Sequence, residues 1–257
     1  MQKLGLNRGR YLGETIDIDV FLKELGRDAS ALGWRAELLQ VPDSAVGLQT
    51  WQRRSTEPVG RRVYISAGIH GDEPAGPLAV RQLIQQDRWP KGTEVWLCPC
   101  LNPTGFPLNT RENAQGLDLN RQYLHLEAPE IRAHIQWLQR QPSFDLALCL
   151  HEDWESEGFY LYELNLGDHP SPADQIIRDV EEVCPIDRSP EIEDRPAQQG
   201  VIRPNPDPKL RVQWPEAFWL VQNNKVKHCL TLEAPSDFPL PIRVAALVTA
   251  VGVALRA

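Results

Sequence analysis

Six apolar runs rich in β-branched and aromatic residues recur along the chain, at 35–41, 62–68, 94–101, 144–151, 158–165 and 227–233. Helix-period patterns lie between them, at 18–32, 75–86, 130–140, 172–183 and 241–255. This alternation constrains the fold more than any other feature. Buried strands need both faces covered, and helices interleaved with strands supply the cover. The expectation is an α/β protein, a three-layer α/β/α sandwich. The 257 residues suit one large α/β domain or two small ones. Segment 184–215 breaks the pattern with seven prolines, Pro185, Pro190, Pro196, Pro204, Pro206, Pro208 and Pro215. No strong regular element is expected there. Such an excursion is either a surface loop or the wall or lid of a site.

Composition removes several classes of function. Hydrophobic content of 42% with 24% charged residues is ordinary for a globular protein. A net charge of -8 argues against nucleic acid as a partner, since its backbone normally calls for a basic face. No apolar run approaches the 18 or more residues of a membrane span. The stretch from Met1 to Arg8 lacks a secretory hydrophobic segment. Of the five cysteines, Cys98, Cys149 and Cys229 sit inside apolar runs and read as small core residues in a reducing compartment. Cys98-Pro99-Cys100 has the wrong spacing for a redox pair. A cytoplasmic protein is expected, with oligomeric state undetermined.

Four features carry chemistry. His70 and Glu73, in Gly68-Ile69-His70-Gly71-Asp72-Glu73-Pro74, lie between a strand end and a helix start. A turn there can aim an imidazole and a carboxylate at one metal ion. Alone the pair is weak. The second feature is a polar loop running from Asn109-Thr110-Arg111 to Gly116-Leu117-Asp118-Leu119-Asn120-Arg121. Arginine offers a fixed fork of donors to a carboxylate or oxyanion, although such a loop could equally be a solvated connection. Third, His151 closes an almost wholly apolar run, where open α/β sheets place ligands. Fourth, Glu233 ends the run 227–233 in the same way. Each of the last two could also be a satisfied polar terminus.

In order and approximate spacing these residues resemble the zinc carboxypeptidase family. The likeness runs from about Arg62 to Pro241. It is nearer to the short bacterial branch that includes murein peptide amidase, and to the related succinylglutamate desuccinylase and aspartoacylase group. The resemblance implies a mixed sheet of about eight strands and a single catalytic domain over 1–257. It implies one zinc ion per chain, held by His70, Glu73 and His151, with a water in the open position. Asp118 would orient the first histidine, Arg111 would stabilise the oxyanion, and Asn120, Arg121 and Arg111 would hold the substrate. Glu233 would be the general base and then the acid.

The chain departs from that pattern in places. It has no tyrosine between Tyr162 and Glu233, where digestive-type members carry a mobile one. Tyr160 or Tyr162 could substitute, and Trp214, Phe218 and Trp219 occupy the stretch instead. Glu152 and Asp153 read as solvated acids at a strand end, with a second metal as the alternative. Arg195, Arg203 and Arg211 read as solvated charges or as contacts to an acidic peptide. The short stretch after Glu233 lacks room for the β domain of aspartoacylase-type enzymes, which favours the amidopeptidase branch. The expected function is a zinc-dependent metallopeptidase or amidase acting on a small peptide-like substrate with a free carboxylate. The alternatives are an N-acyl amino acid deacylase and a catalytically silent metal-binding module.

Overall fold

Residues Arg61–Ala67 show why a sheet forms the centre. Val63, Ile65 and Ala67 face one side, Tyr64 and Ser66 the other, and all five are buried. A strand covered on both faces needs a layer on each. The computed structural model describes residues 2–257 except 43, 45 and 168; Met1, the first residue of the stretch read as leaderless, lies outside them.

The first half of the chain runs α1 (Ile18–Ala31), β1 (Arg35–Leu39), β2 (Leu48–Arg53), β3 (Arg61–Ala67), α2 (Ala75–Gln86), β4 (Thr93–Cys98) and α3 (Pro129–Arg140). The second half runs β5 (Leu146–Asp153), β6 (Tyr160–Asn165), α4 (Ala173–Glu181), β7 (Glu191–Ile192), β8 (Arg195–Gln198), β9 (Val201–Ile202), α5 (Glu216–Gln222), β10 (His228–Pro235) and α6 (Leu240–Arg256). The strands form one mixed sheet in the order β1-β2-β4-β3-β5-β10-β6-β9-β8-β7. Its central strands β4, β3, β5 and β10 are mutually parallel. One face packs against α1, α2, α4 and α6 and the other against α3 and α5.

Among the described residues the sheet has ten strands rather than about eight. β2 escaped notice because Gln49, Thr50 and Gln52 interrupt its apolar residues. The proline-rich excursion, expected to be irregular, supplies β7, β8 and β9. Pro196 lies on β8 opposite Glu191 of the two-residue β7, while the pairing of β8 with β9 involves only Ala197 and Gln198. The helix α5 was also missed.

Parallel strands put their carboxyl ends on one edge. Register then sets neighbours: Glu233 of β10 lies opposite His151 of β5 and, on its other side, Tyr160 of β6. The loop 68–74 after β3 opens onto the same edge. Gly71 in that loop has no space for a side chain, because an added Cβ would stand 2.2 Å from the carbonyl carbon of Gly105. Gly71→Ala is expected to cost about 1–3 kcal/mol through overpacking, read as a lower urea midpoint at unchanged slope.

Beneath that edge lies a closed polar network. Tyr64 donates to Glu216 Oε1 at 2.6 Å and so accepts from His134 Nε2 at 2.9 Å, while Tyr123 donates to His134 Nδ1 at 2.8 Å. Both ring nitrogens of neutral His134 are thereby satisfied. Burial pushes the His134 imidazolium down to about 3. A group with a depressed folded value contributes stability that is intact above its unfolded pKa and declines as pH falls. The window here runs from about 6.5 down to about 3. The His134 contribution lost by pH 4 is about 3 kcal/mol. His134→Gln is therefore expected to flatten the acid limb of the urea midpoint against pH, measured from pH 8 to pH 4.

Candidate metal centre

The loop after β3 carries His70 and Glu73, and β5 carries His151; all three are buried. His70 Nδ1 lies 2.5 Å from Glu73 Oε1, and His151 Nδ1 lies 3.1 Å from Glu73 Oε2. One donor atom from each residue falls within 4.8 Å of the others. Glu73 Oε2, the oxygen nearer His151, is buried without a hydrogen-bond partner. Buried polar atoms are normally partnered. An imidazole pair with one carboxylate, almost wholly buried at the cleft floor, has the donor set that holds a divalent cation such as zinc. Burial alone would raise the Glu73 carboxyl, but His70 and His151 hold it well below the usual range.

Asp118 stands on the far side of His70, its Oδ1 3.3 Å from Nε2 and outside hydrogen-bond alignment. Its position comes from local structure: Asp118 caps the turn Leu119–Arg121 by accepting from the Asn120 amide at 2.9 Å. Burial would raise its carboxyl, yet contact with His70 and the fields of Arg111 and Arg121 keep it low. Arg111 donates from Nε to Asp118 Oδ2 at 2.9 Å, and its Nη1 lies 3.9 Å from Glu73 Oε1. The guanidinium thus lies directly against the His70–Glu73 pair. The Asn120 side-chain oxygen accepts from the Glu216 amide at 2.9 Å, joining the polar loop to the start of α5.

These residues line a cleft of about 860 Å³ together with Arg121 and Glu233. Glu233 is partly buried. Burial pushes its carboxyl up to about 8; His151 opposes this, while Glu73, Asp153 and Glu193 reinforce it. A carboxyl so raised sits near neutrality, where proton transfer is most effective.

The structure also supplies wall residues that the sequence did not announce. Gly9, Arg10 and Tyr11 from the N-terminal segment line the cleft, as do Trp154 and Glu193. Nothing in the local sequence marks them, since their position depends on how distant segments pack. Tyr160 and Tyr162 both reach the cleft, with Tyr160 donating to Asp153 Oδ2 at 3.1 Å. Arg195 and Arg211 line it too, whereas Arg203 pairs with Glu163 at 3.0 Å. Glu152 is not a solvated acid. It is buried and paired with Arg243, so it is not free for a second metal.

A mixed sheet with a His-Glu-His cradle at the carboxyl edge of its parallel strands defines a metallopeptidase-like α/β protein. Residues 59–170, less than half of the chain, match the model of the succinylglutamate desuccinylase/aspartoacylase catalytic domain. Carboxypeptidase SOL1 of Arabidopsis thaliana is 27% identical over 175 residues, covering 58% of this chain and 34% of that protein. The match thus spans about a third of the length of that curated relative. A provisionally assigned metallopeptidase from Shewanella baltica superposes with a TM-score of 0.77 at 25% identity, over 94% of this chain and 93% of that one. A metallo-carboxypeptidase from Pseudomonas aeruginosa, solved with (2-guanidinoethylmercapto)succinic acid, shares the fold at 17% identity. Its TM-score is 0.70, over 94% of this chain and 69% of that one. The chain is thus similar to the succinylglutamate desuccinylase/aspartoacylase catalytic domain over residues 59–170 and to metallopeptidase-like structures over most of its length.

Among the described residues, no helix is long and apolar enough to cross a membrane.

Proposed function

We propose that this protein is a zinc-dependent hydrolase of a small peptide-like substrate, cleaving an amide bond near a free carboxylate. The observation that carries this reading is the buried His70, Glu73 and His151 cluster with Glu233 in the same cleft. Zinc held by His70 Nδ1, Glu73 and His151 would supply a Lewis acid for the attacking water and the scissile carbonyl. Glu233 would take a proton from an attacking water and return it to the leaving amine. The Arg111 guanidinium stabilises the oxygen on which negative charge develops. Asn120 presents its side-chain NH2 group, since its oxygen is engaged by the Glu216 amide, and with Arg121 it receives the substrate carboxylate. Asp118, 3.3 Å from the second nitrogen of His70, would orient that ring through a small shift into hydrogen-bond alignment. One catalytic domain over 1–257 is part of this reading, as is a cytoplasmic location, supported by five buried free thiols.

The match to a desuccinylase and aspartoacylase catalytic domain favours a second reading, an N-acyl amino acid deacylase using the same residues. The test is metal analysis of the purified protein, followed by a panel of short peptides, murein tripeptides and N-acyl amino acids. Chelator-sensitive hydrolysis restored by zinc is expected. Hydrolysis that survives removal of all metal would sink the mechanism, and the preferred panel member separates the two readings.

A further inference from the structure

Glu152, the residue after the third candidate ligand, belongs to a chain of buried groups with no part in the reaction above. Glu152 Oε1 accepts from the Ala75 amide at 2.5 Å. Its Oε2 accepts from Arg243 Nη1 at 2.5 Å and from Ser236 Oγ at 3.4 Å. Ala75 opens α2, two residues past Glu73. A single carboxylate therefore touches both backbone segments that deliver candidate ligands: the start of α2, behind Glu73, and the end of β5, which bears His151.

Arg243, on α6, is 0% exposed. Beyond Glu152 it donates to the Tyr11 hydroxyl at 3.1 Å from each of two guanidinium nitrogens and to Glu14 Oε2 at 2.6 Å. Its guanidinium carbon lies 5.5 Å from the Tyr11 ring centre. Tyr11 is itself buried and lines the cleft. Arginine suits this role because its planar fork fixes the direction of several acceptors at once. Loss of the partner would leave a buried carboxylate uncompensated, free to turn away from the Ala75 amide.

We propose that Arg243 is a positioning residue for the metal centre. Through Glu152 it sets the spacing between Glu73 and His151, and through Tyr11 and Glu14 it ties that spacing to the N-terminal segment lining the cleft. The proposal rests on the reading of His70, Glu73 and His151 as a zinc centre.

The experiment measures zinc affinity of the full chain by competition with a chromophoric chelator, beside the thermal midpoint. Arg243→Met is expected to weaken zinc binding about 10–100-fold, the usual range for outer partners of metal ligands. Arg243→Lys should regain part of the loss, since it keeps the charge but not the fork. The double variant Arg243→Met/Glu152→Met removes both charges and keeps the test alive should the single variant fail to fold. It is expected to recover the thermal midpoint but not the zinc affinity. Zinc binding within twofold of wild type in Arg243→Met, with only the midpoint lowered, overturns the positioning role. So does recovery of zinc affinity in the double variant. A wild-type protein that takes up no zinc overturns the metal-centre reading itself, which is a different result.

Discussion

Glu233→Gln is expected to lower turnover by about 10²–10⁴-fold, the range that a positioned proton carrier contributes, while zinc content stays at the wild-type level. The substitution keeps the size and shape of the side chain at its place opposite His151 and Tyr160. It removes only the ability to take up a proton. Glu233 is not in the His70, Glu73 and His151 cluster, so metal content and turnover should separate. Metal analysis and steady-state kinetics on one preparation check this. Loss of zinc together with turnover would mean that Glu233 is a ligand rather than a base.

Arg111→Met should lower kcat by about 10²–10³-fold, corresponding to roughly 2.7–4 kcal/mol of charge stabilisation. Arg111 sits 3.9 Å from Glu73 and donates to Asp118 at 2.9 Å. Its loss therefore also releases Asp118, and a weaker grip on zinc is expected as a secondary effect. Kinetics at saturating zinc isolate the catalytic part. A variant with wild-type kcat and raised KM would reassign Arg111 to uniform substrate binding.

The alternation of strands and helices was legible because β3, β5 and β10 are buried on both faces and so read as continuous apolar runs. β2 was not, since Gln49, Thr50 and Gln52 interrupt its apolar residues. β7, β8 and β9 hold two, four and two residues, too short for any periodicity to register. The cluster of His70, Glu73 and His151 could be suspected because each residue ends an apolar run or adjoins a turn, and open α/β sheets gather such positions at one edge. The cleft wall could not. Tyr11 is tied there by Arg243, from the opposite end of the chain, and Glu152 looks like a surface acid until its buried partner is seen. Pairing between distant segments leaves no local pattern to read.

The register of β10 against β5 has one more consequence. Side chains alternate across a strand with period two, so a one-residue slip turns every one of them over. An insertion or deletion within β10 would swing Glu233 into the layer of α6 and bring Leu232 or Ala234 to the edge of the cleft. The cluster of His70, Glu73 and His151 would stay intact, because none of its members lies on β10. Under the proposed function, such a frame change is expected to leave metal binding in place and abolish hydrolysis. On that reading, strand alignment matters to activity as much as the identity of residue 233.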